Sequence, residues 1–390
     1  MSKIPKLRFK EFSGEWDGIK LKTISNKIGS GSTPRGGEKV YKKFGIPFIR
    51  SQNVNNNQLI FDNTTYIDEE IHSNMNNSCV IANDILLNIT GASIGRSCVV
   101  PKDFKEGNVN QHVCIIRLKD DYEPTFLQPF LASHNGKKLV FQGQTGSGRE
   151  GINFQSIGAF KLNIPSKQEQ EKIASFLTSV DTKIEQLTKK EKLLQQYKKG
   201  VMQKIFNQEI RFQADDGSEF CDWEEKRLKE VLDYEQPTKY IVESTEYNGN
   251  YNTPVLTAGK TFILGYTNEE NGIYTNSPVI IFDDFTTANH YVDFDFKVKS
   301  SAMKLLKEKN ENICLKFVYE FIQKLHFPIG EHKRYWISEY SYLKIKLPCL
   351  EEQNKIANFL SSIDTKIEQT QKQLEKTKEF KKALLQQMFV

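Results

Sequence analysis

Two stretches of the chain repeat an apolar residue at alternating steps of three and four. The first stripe runs Leu177, Val180, Ile184, Leu187, Leu194, Val201 and Ile205, interrupted by Glu191 and Lys198. The second runs Leu360, Ile363, Ile367, Leu374, Leu384 and Met388, interrupted by Thr370, Thr377 and Lys381. This spacing is the seam of a coiled coil. No proline falls inside either stretch, so each predicts one helix of about 40 residues, roughly 60 Å long at 1.5 Å per residue. Pro165 and Pro348 close the short strands FKLNI and LKIKL that precede the helices. Ser166 with Glu169 has the S-x-x-E spacing of a capping box. Cys349 stands in the serine's place in the second copy, so that start is less clearly signed.

The remaining segments are shorter. Residues 46–50 (IPFIR), 80–89 (VIANDILLNI), 113–118 (VCIIRL) and 279–282 (VIIF) read as strands. Residues 126–141 read as a helix interrupted near Pro129, and 314–325 as an amphipathic helix. The Asn- and Gly-rich stretches 51–58 and 267–272 read as loops. Both blocks, residues 7–164 and 211–347, are expected to be mixed α/β.

The two helical stretches are copies of one another. Pro165–Phe206 laid over Pro348–Phe389, a shift of 183 residues without a gap, matches at 20 of 42 positions. The best block is EQEKIASFLTSVDTKIEQ (169–186) against EQNKIANFLSSIDTKIEQ (352–369). The period is far too long for a solenoid and points to duplication of a unit made of one domain and one helix. LRFKEFSGEW (7–16) also rhymes weakly with IRFQADDGSEFCDW (210–223), while the blocks that follow share no obvious alignment. An apolar stripe that long needs a partner. Packing onto its own domain is one solution; pairing of the two copies, antiparallel about a pseudo-twofold axis, is the one favoured here. The residues expected to make that pairing are Phe176, Leu177, Val180, Ile184 and Leu187, with Phe359, Leu360, Ile363 and Ile367.

Composition narrows the class. With 390 residues, two or more domains are expected. Hydrophobic residues make up 38%, with 26 Phe and 15 Tyr, enough aromatic surface to argue against global disorder. No apolar run is long enough to span a bilayer as a helix, and the N-terminus lacks the apolar core of a secretion signal. The six cysteines are widely spaced with no C-x-x-C pair, as expected of a reduced cytoplasmic protein. The net charge of +5 is uneven: +6 over residues 1–164, +4 over 165–206, −6 over 207–347 and +1 over 348–390. A mild basic excess permits nucleic-acid binding without showing it. The acidic third segment would need a local basic face to touch DNA.

Catalytic signatures are missing. GQTGSGRE (143–150) has the glycine spacing of a phosphate loop, but Arg149 and Glu150 stand where Lys and Ser or Thr are needed. No glycine-rich dinucleotide fingerprint opens a helix, and no Asn/Asp-Pro-Pro-aromatic tetrapeptide occurs. Asp283–Asp284 reads as a loop or solvated face rather than a metal site. The six histidines show no metal-ligand spacing, so no metal site is expected.

With the duplicated block on the page, the layout resembles the specificity subunit of type I restriction–modification systems. The carriers are the two copies of strand-Pro followed by EQ-x-KIA-x-FL-x-S-x-D-x-KIEQ, each behind a variable domain, together with LRFKEFSGEW and IPFIRSQNV (46–54). The resemblance implies an α+β chain in which two target-recognition domains are held apart by two long antiparallel helices. The expected divisions are 1–164 and 209–347 for the two recognition domains, and 165–208 and 348–390 for the helices. Each domain would read one half of a split, asymmetric site in double-stranded DNA, and the helices would set the gap and dock two modification subunits. The chain itself would be non-catalytic and carry no cofactor. S-adenosylmethionine would belong to the methyltransferase subunits, and ATP with Mg to separate restriction subunits. The rival readings are a two-headed scaffold that binds polypeptides and a single-chain enzyme with an atypical site.

Base readout needs forked donors and amides in loops. Arg50, Ser51, Gln52 and Asn53 follow a strand and supply them, as do Gln111, His112, Ser147 and Arg149. In the second domain the matching candidates are Thr257 to Lys260, Asn289, His290 and Tyr291, and the cluster HKRYW with Lys333, Arg334 and Tyr335.

Overall fold

A computed structural model of the chain describes residues 3–144, 151–259, 261–325, 327 and 334–389. The chain divides into two compact units: Met1–Thr188 with Lys372–Val390, and Lys189–Gln371. The division falls inside both long helices, Lys167–Phe206 and Leu350–Gln387. Each unit therefore holds one α/β domain, the first half of one long helix and the last half of the other.

In the first unit, Ser25–Ser30, Val113–Leu118, Ile85–Asn88 and Ser97–Val99 lie side by side in that order, all antiparallel. A second sheet runs Thr65–Ile67, Ile46–Ile49, Gly107–Val109, Cys79–Val80, its middle pair parallel. Asp17–Lys20 pairs with Lys161–Ile164, so both ends of the domain meet where the long helix begins. The central strands Ile85–Asn88 and Val113–Leu118 are near-continuously apolar and buried on both faces, as expected where a sheet is covered on each side.

The second unit follows the same plan, although its sequence does not align with the first. Leu232–Glu235, Met303–Glu308, Val279–Asp283 and Asn289–Val292 form the antiparallel sheet. Ile263–Thr267, Thr253–Leu256 and Lys297–Val298 form the smaller sheet, again with a parallel pair. Glu224–Arg227 pairs with Lys344–Leu347 ahead of the second long helix. The common fold was hidden because short buried strands require apolar residues of roughly fitting volume rather than particular ones.

Several expected elements changed. The strand predicted over 80–89 is two strands in different sheets, separated by a turn in which Asn83 takes φ +68°. Asp84 fixes that turn by accepting from the Ile81 amide at 2.9 Å while Arg117 grips its carboxylate at 2.8 Å. The helix over 126–141 breaks at Ser133 rather than at Pro129, giving Pro124–Ala132 and His134–Gln142. Ser133 is extended, and its hydroxyl accepts from the Gly136 amide as the N-cap of the second piece.

The long helices pack antiparallel. Within the first unit Lys381 meets Asp181; within the second, Gln371 donates to Glu191 at 2.8 Å and Lys198 to Asp364 at 2.7 Å. Rising numbers on one helix run against falling numbers on the other. The start of each helix also packs onto its own domain, so the two alternatives weighed from the seam hold together. Leu177 and Val180 join the first domain's core, which also takes Leu384, Met388 and Phe389 from the end of the other helix. Leu360 and Ile363 join the second core with Met202, Ile205 and Phe206. Leu187 is buried, and Ile184 and Ile367 pack at the edges of their cores. Phe176 and Phe359 differ from expectation: they stack edge-on against Phe9 and Phe212 of the segment ahead of each domain.

The repeated Glu–Gln explains how helix and domain are locked. Glu169 takes Arg8 Nε and Nη2 at 2.7 Å each and Trp16 Nε1 at 3.3 Å. Glu352 takes Arg211 Nη2 at 2.8 Å and Trp223 Nε1 at 2.9 Å. These bidentate charge-assisted contacts raise the affinity of both arginines for their protons. Gln170 and Gln353 donate to Pro165 O and Pro348 O and accept from the Glu123 and Cys314 amides. The capping box is thus half made: Ser166 accepts from the Glu169 amide, but the Glu169 carboxylate is committed to Arg8. At the far ends, Phe389 wedges against Phe126 and Phe130, and Phe206 against Phe317 and Phe321.

Candidate nucleic-acid interface

In the first unit the parallel strands Ile46–Ile49 and Gly107–Val109 end side by side, tied by the Asn110 amide to Ile49 O at 3.0 Å. Two polar loops therefore leave one sheet end together: Arg50–Asn53 and Asn110–His112. A third joins them. Thr33 donates to Gln111 Oε1 at 2.6 Å. Gly31 lies against Val109, where any Cβ would stand 1.7 Å from the carbonyl oxygen. The segment after Gly31 carries Arg35, Lys39, Lys42 and Lys43, all exposed, against a single acid, Glu38. The signal for this run in the sequence is its four cations within nine residues of a glycine-rich segment.

The side chains in these loops are unequal. Gln52 and Gln111 are exposed. Arg50 is half-buried, and among the described residues its Nε is buried without a partner. Ser51 is half-buried, and its carbonyl accepts from Asn88 Nδ2 at 2.8 Å. Asn53 is turned inward: its amide donates to Ile60 O and Thr64 Oγ1 and accepts from the Arg50 amide, so it holds the loop and has no free donor. His112 is half-buried with Nδ1 2.7 Å from Thr90 Oγ1. Ser147 and Arg149 lie outside the described residues.

The second unit repeats the arrangement. Thr253–Leu256 and Lys297–Val298 are parallel, and the Lys299 amide reaches Leu256 O at 3.0 Å. Thr257–Gly259 and Lys299–Ser301 thus occupy the places of Arg50–Asn53 and Asn110–His112. Ser300 and Ser301 are exposed. Residues 299–301 were not singled out from the sequence, because only the parallel pairing brings them to this end. Lys260 and Lys333 lie outside the described residues.

Asn289, His290 and Tyr291 form the edge strand of the larger sheet. His290 stacks on Phe262 with ring centroids 4.3 Å apart, beside the Ala258 and Gly259 backbone. Burial pushes its pKa down, partly offset by those two backbone hydrogen bonds. Asn289 accepts from Gln323 at 2.5 Å and donates to Thr287 O. Tyr291 packs on Tyr319 with Lys316 over its ring. Arg334 is exposed, but Tyr335 is 1% exposed and packs against Phe327, so it is a core residue. Asp284 likewise corrects the reading of a solvated face: it is buried, pairs with Lys304 at 3.3 Å and accepts the Trp336 amide at 2.9 Å. Burying this pair is tolerable because the charges meet each other, Asp284 also takes the Trp336 amide, and Lys304 Nζ lies 4.4 Å over the Tyr234 ring.

Among the described residues no helix is long and apolar enough to cross a membrane.

The comparisons agree with this architecture. The family described as type I restriction modification DNA specificity domain matches residues 13–195 and 221–378. The chain is 55% identical over 141 residues to the type I restriction enzyme EcoR124I/EcoR124II specificity subunit of Escherichia coli, a match that covers 35% of each chain. It is 25% identical over 407 aligned positions to the putative type I restriction enzyme MjaX specificity subunit of Methanocaldococcus jannaschii, covering 96% of this chain and 93% of the relative. The crystal structure of the type I restriction–modification system S subunit from M. genitalium shares the fold, with a TM-score of 0.69 at 15% identity over 99% of each chain. Two like-built units, joined through repeated helices and matched by the family over most of their length, place this chain in the type I restriction–modification DNA specificity family.

Proposed function

We propose that this chain reads a split DNA sequence, with residues 1–164 and 209–347 each reading one half and the two helices fixing the gap. The observation that carries the reading is the recurrence of one loop arrangement: Asn110 on Ile49 and Lys299 on Leu256 each bring two polar loops to the end of a parallel strand pair. Arg50, Gln52 and Gln111 are the base-reading side chains of the first domain, with Arg35, Lys39, Lys42 and Lys43 on phosphates. Ser300, Ser301 and Arg334 do the equivalent work in the second, with His290 and Asn289 alongside. Different side chains on one plan give two different half-sites, which is why the site is asymmetric.

The chain contributes no bond chemistry in this reading. Modification subunits supply S-adenosylmethionine and methylate the DNA, and restriction subunits supply ATP hydrolysis and cleavage. The modification subunits dock on the helices at Tyr197 and Phe380, which occupy the same repeat position and are 54% and 51% exposed. Exposed aromatics at a fixed place in both copies suit two identical partners.

The test is a genome-wide map of methylated motifs in cells carrying the system with Arg50→Ala. Loss of one base-specific contact costs about 1–3 kcal/mol, so one half of the motif should relax while the other keeps its sequence. Both halves unchanged would remove Arg50 from the interface.

A further inference from the structure

Three side chains of the first unit converge away from the reading loops. His72 lies on the short helix Glu69–Ser73, Cys79 opens the strand Cys79–Val80, and Glu106 precedes the strand Gly107–Val109. The antiparallel pairing of Asn108 with Cys79 brings them together. One ligand atom from each lies within 4.8 Å of the other two, and His72 Nε2 is 3.3 Å from Glu106 Oε2. Chain spacing gave no hint of this, since the sheet rather than the sequence makes the neighbours.

The histidine is oriented by a buried amide. Asn108 donates both Nδ2 protons, to Met75 O at 3.1 Å and to Ser78 Oγ at 2.9 Å. Ser78 Oγ itself donates to Met75 O at 2.8 Å, so it accepts from Asn108. That fixes the amide with Oδ1 facing His72 Nδ1 at 2.6 Å. Nδ1 therefore carries a proton, and Nε2, 3.3 Å from the Glu106 carboxylate, is left as the unprotonated nitrogen of the cluster. Metal-binding histidines are commonly held this way: an oxygen takes the proton of one ring nitrogen and so leaves the lone pair of the other free for the ion.

We propose that His72 Nε2, Cys79 Sγ and the Glu106 carboxylate bind a zinc ion, with a water completing the tetrahedron. A thiolate with an imidazole and a carboxylate suits zinc better than magnesium or calcium, which prefer oxygen alone. Binding expels the Cys79 thiol proton to solvent, so the site brings two negative charges to the cation. The nearby cations are Lys27 and Arg117, both donating to Cys79 O, and Arg117 is neutralised by Asp84. Glu106 is exposed and lines a cleft of about 610 Å³ with Glu69, Asp103 and Lys105, so the carboxylate is open to solvent. The ion would clamp three segments of the sheet from which Arg50–Asn53 departs. Among the described residues the matching sheet of the second unit has three strands, with only the isolated bridge of Ile241 to Val298 beyond them, so the clamp is a feature of one reader.

The rival is a plain ion pair between protonated His72 and Glu106. The full chain, stripped with chelator under a thiol-free reductant, is titrated with Co²⁺ and then Zn²⁺. One equivalent of cobalt should give a near-ultraviolet thiolate charge-transfer band, and one equivalent of zinc should remove it and raise Tm. Cys79→Ser should abolish the band. Glu106→Gln, at an exposed position that leaves the fold intact, should weaken binding roughly tenfold or more. Cys221→Ser, which changes an exposed cysteine elsewhere, should change nothing. No band in a natively melting chain, or a band that survives Cys79→Ser, would overturn the site. So would zinc binding unaffected by Glu106→Gln.

Discussion

Lys198 Nζ lies 2.7 Å from both carboxylate oxygens of Asp364, and the residues one repeat away, Lys381 and Asp181, form the same pair in the other unit. The lysines sit where the apolar seams are interrupted, so the interruptions are specific contacts. An antiparallel pair of charged positions fixes register as well as direction, because a slip by one turn would leave both lysines against the wrong neighbours.

The two pairs should differ in energy. Lys198 also lies 2.8 Å from the carboxylate of Glu320, which is fully buried, whereas Asp181 is partly exposed to solvent. Burial pushes the Glu320 carboxyl up, and Lys198 is the main charge pulling it back. Lys198→Ala should destabilise the second unit by up to about 3–5 kcal/mol, because the buried Glu320 then keeps Lys316 at 3.6 Å in place of the 2.8 Å contact to Lys198. Lys381→Ala should cost about 1 kcal/mol or less. Chemical denaturation of the two variants checks the difference, and Glu320→Gln should restore most of the loss in Lys198→Ala.

His290 gives the second unit a pH dependence. Its pKa is held below the ordinary 6.5, so the folded unit keeps the ring neutral while the unfolded chain takes up a proton as pH falls through that value. The unfolded state then binds more protons, and stability declines with falling pH. Thermal melts between about pH 7 and about pH 5.5 should show a steeper decline in the wild type than in His290→Gln. Equal slopes would mean that the ring titrates alike in both states.

Docking of the modification subunits should be separable site by site. Tyr197→Asp and Phe380→Asp each remove an exposed aromatic without touching the core. Each single variant should lower the mass of the purified assembly by one modification subunit, and the double variant by two. Sedimentation or native mass measurement reads the result directly.

How much of this was legible depended on the kind of constraint. The long helices were, since a stripe such as Leu177, Val180 and Ile184 survives any substitution that keeps it apolar. The identity of Glu169–Gln170 with Glu352–Gln353 was visible in the repeat, but its reason was not: the glutamates hold Arg8, Trp16, Arg211 and Trp223, and the glutamines hold the backbone of Pro165, Glu123, Pro348 and Cys314, contacts that only the fold brings together. The common fold of the two domains was not, since their strands pack by volume. Nor could the sequence say that Asn53 and Tyr335 face inward. Both are residue types that suit a DNA contact equally well, and only the Ile60 and Thr64 partners of one and the Phe327 packing of the other decide it. The polar loops at Lys299–Ser301 depended on the parallel pairing of Val255 with Lys297 and Leu256 with Val298, partners far apart in the chain, which leaves no local signal.

The central claim is that the helices set the gap between two half-sites. Inserting four residues after Thr188 and four after Gln371 adds about one turn, roughly 5.4 Å, to each helix. Mapping methylated motifs in cells that carry the lengthened chain tests it directly. Both half-site sequences should be retained, with the unread gap one or two base pairs longer. An unchanged gap in an actively methylating strain would contradict it.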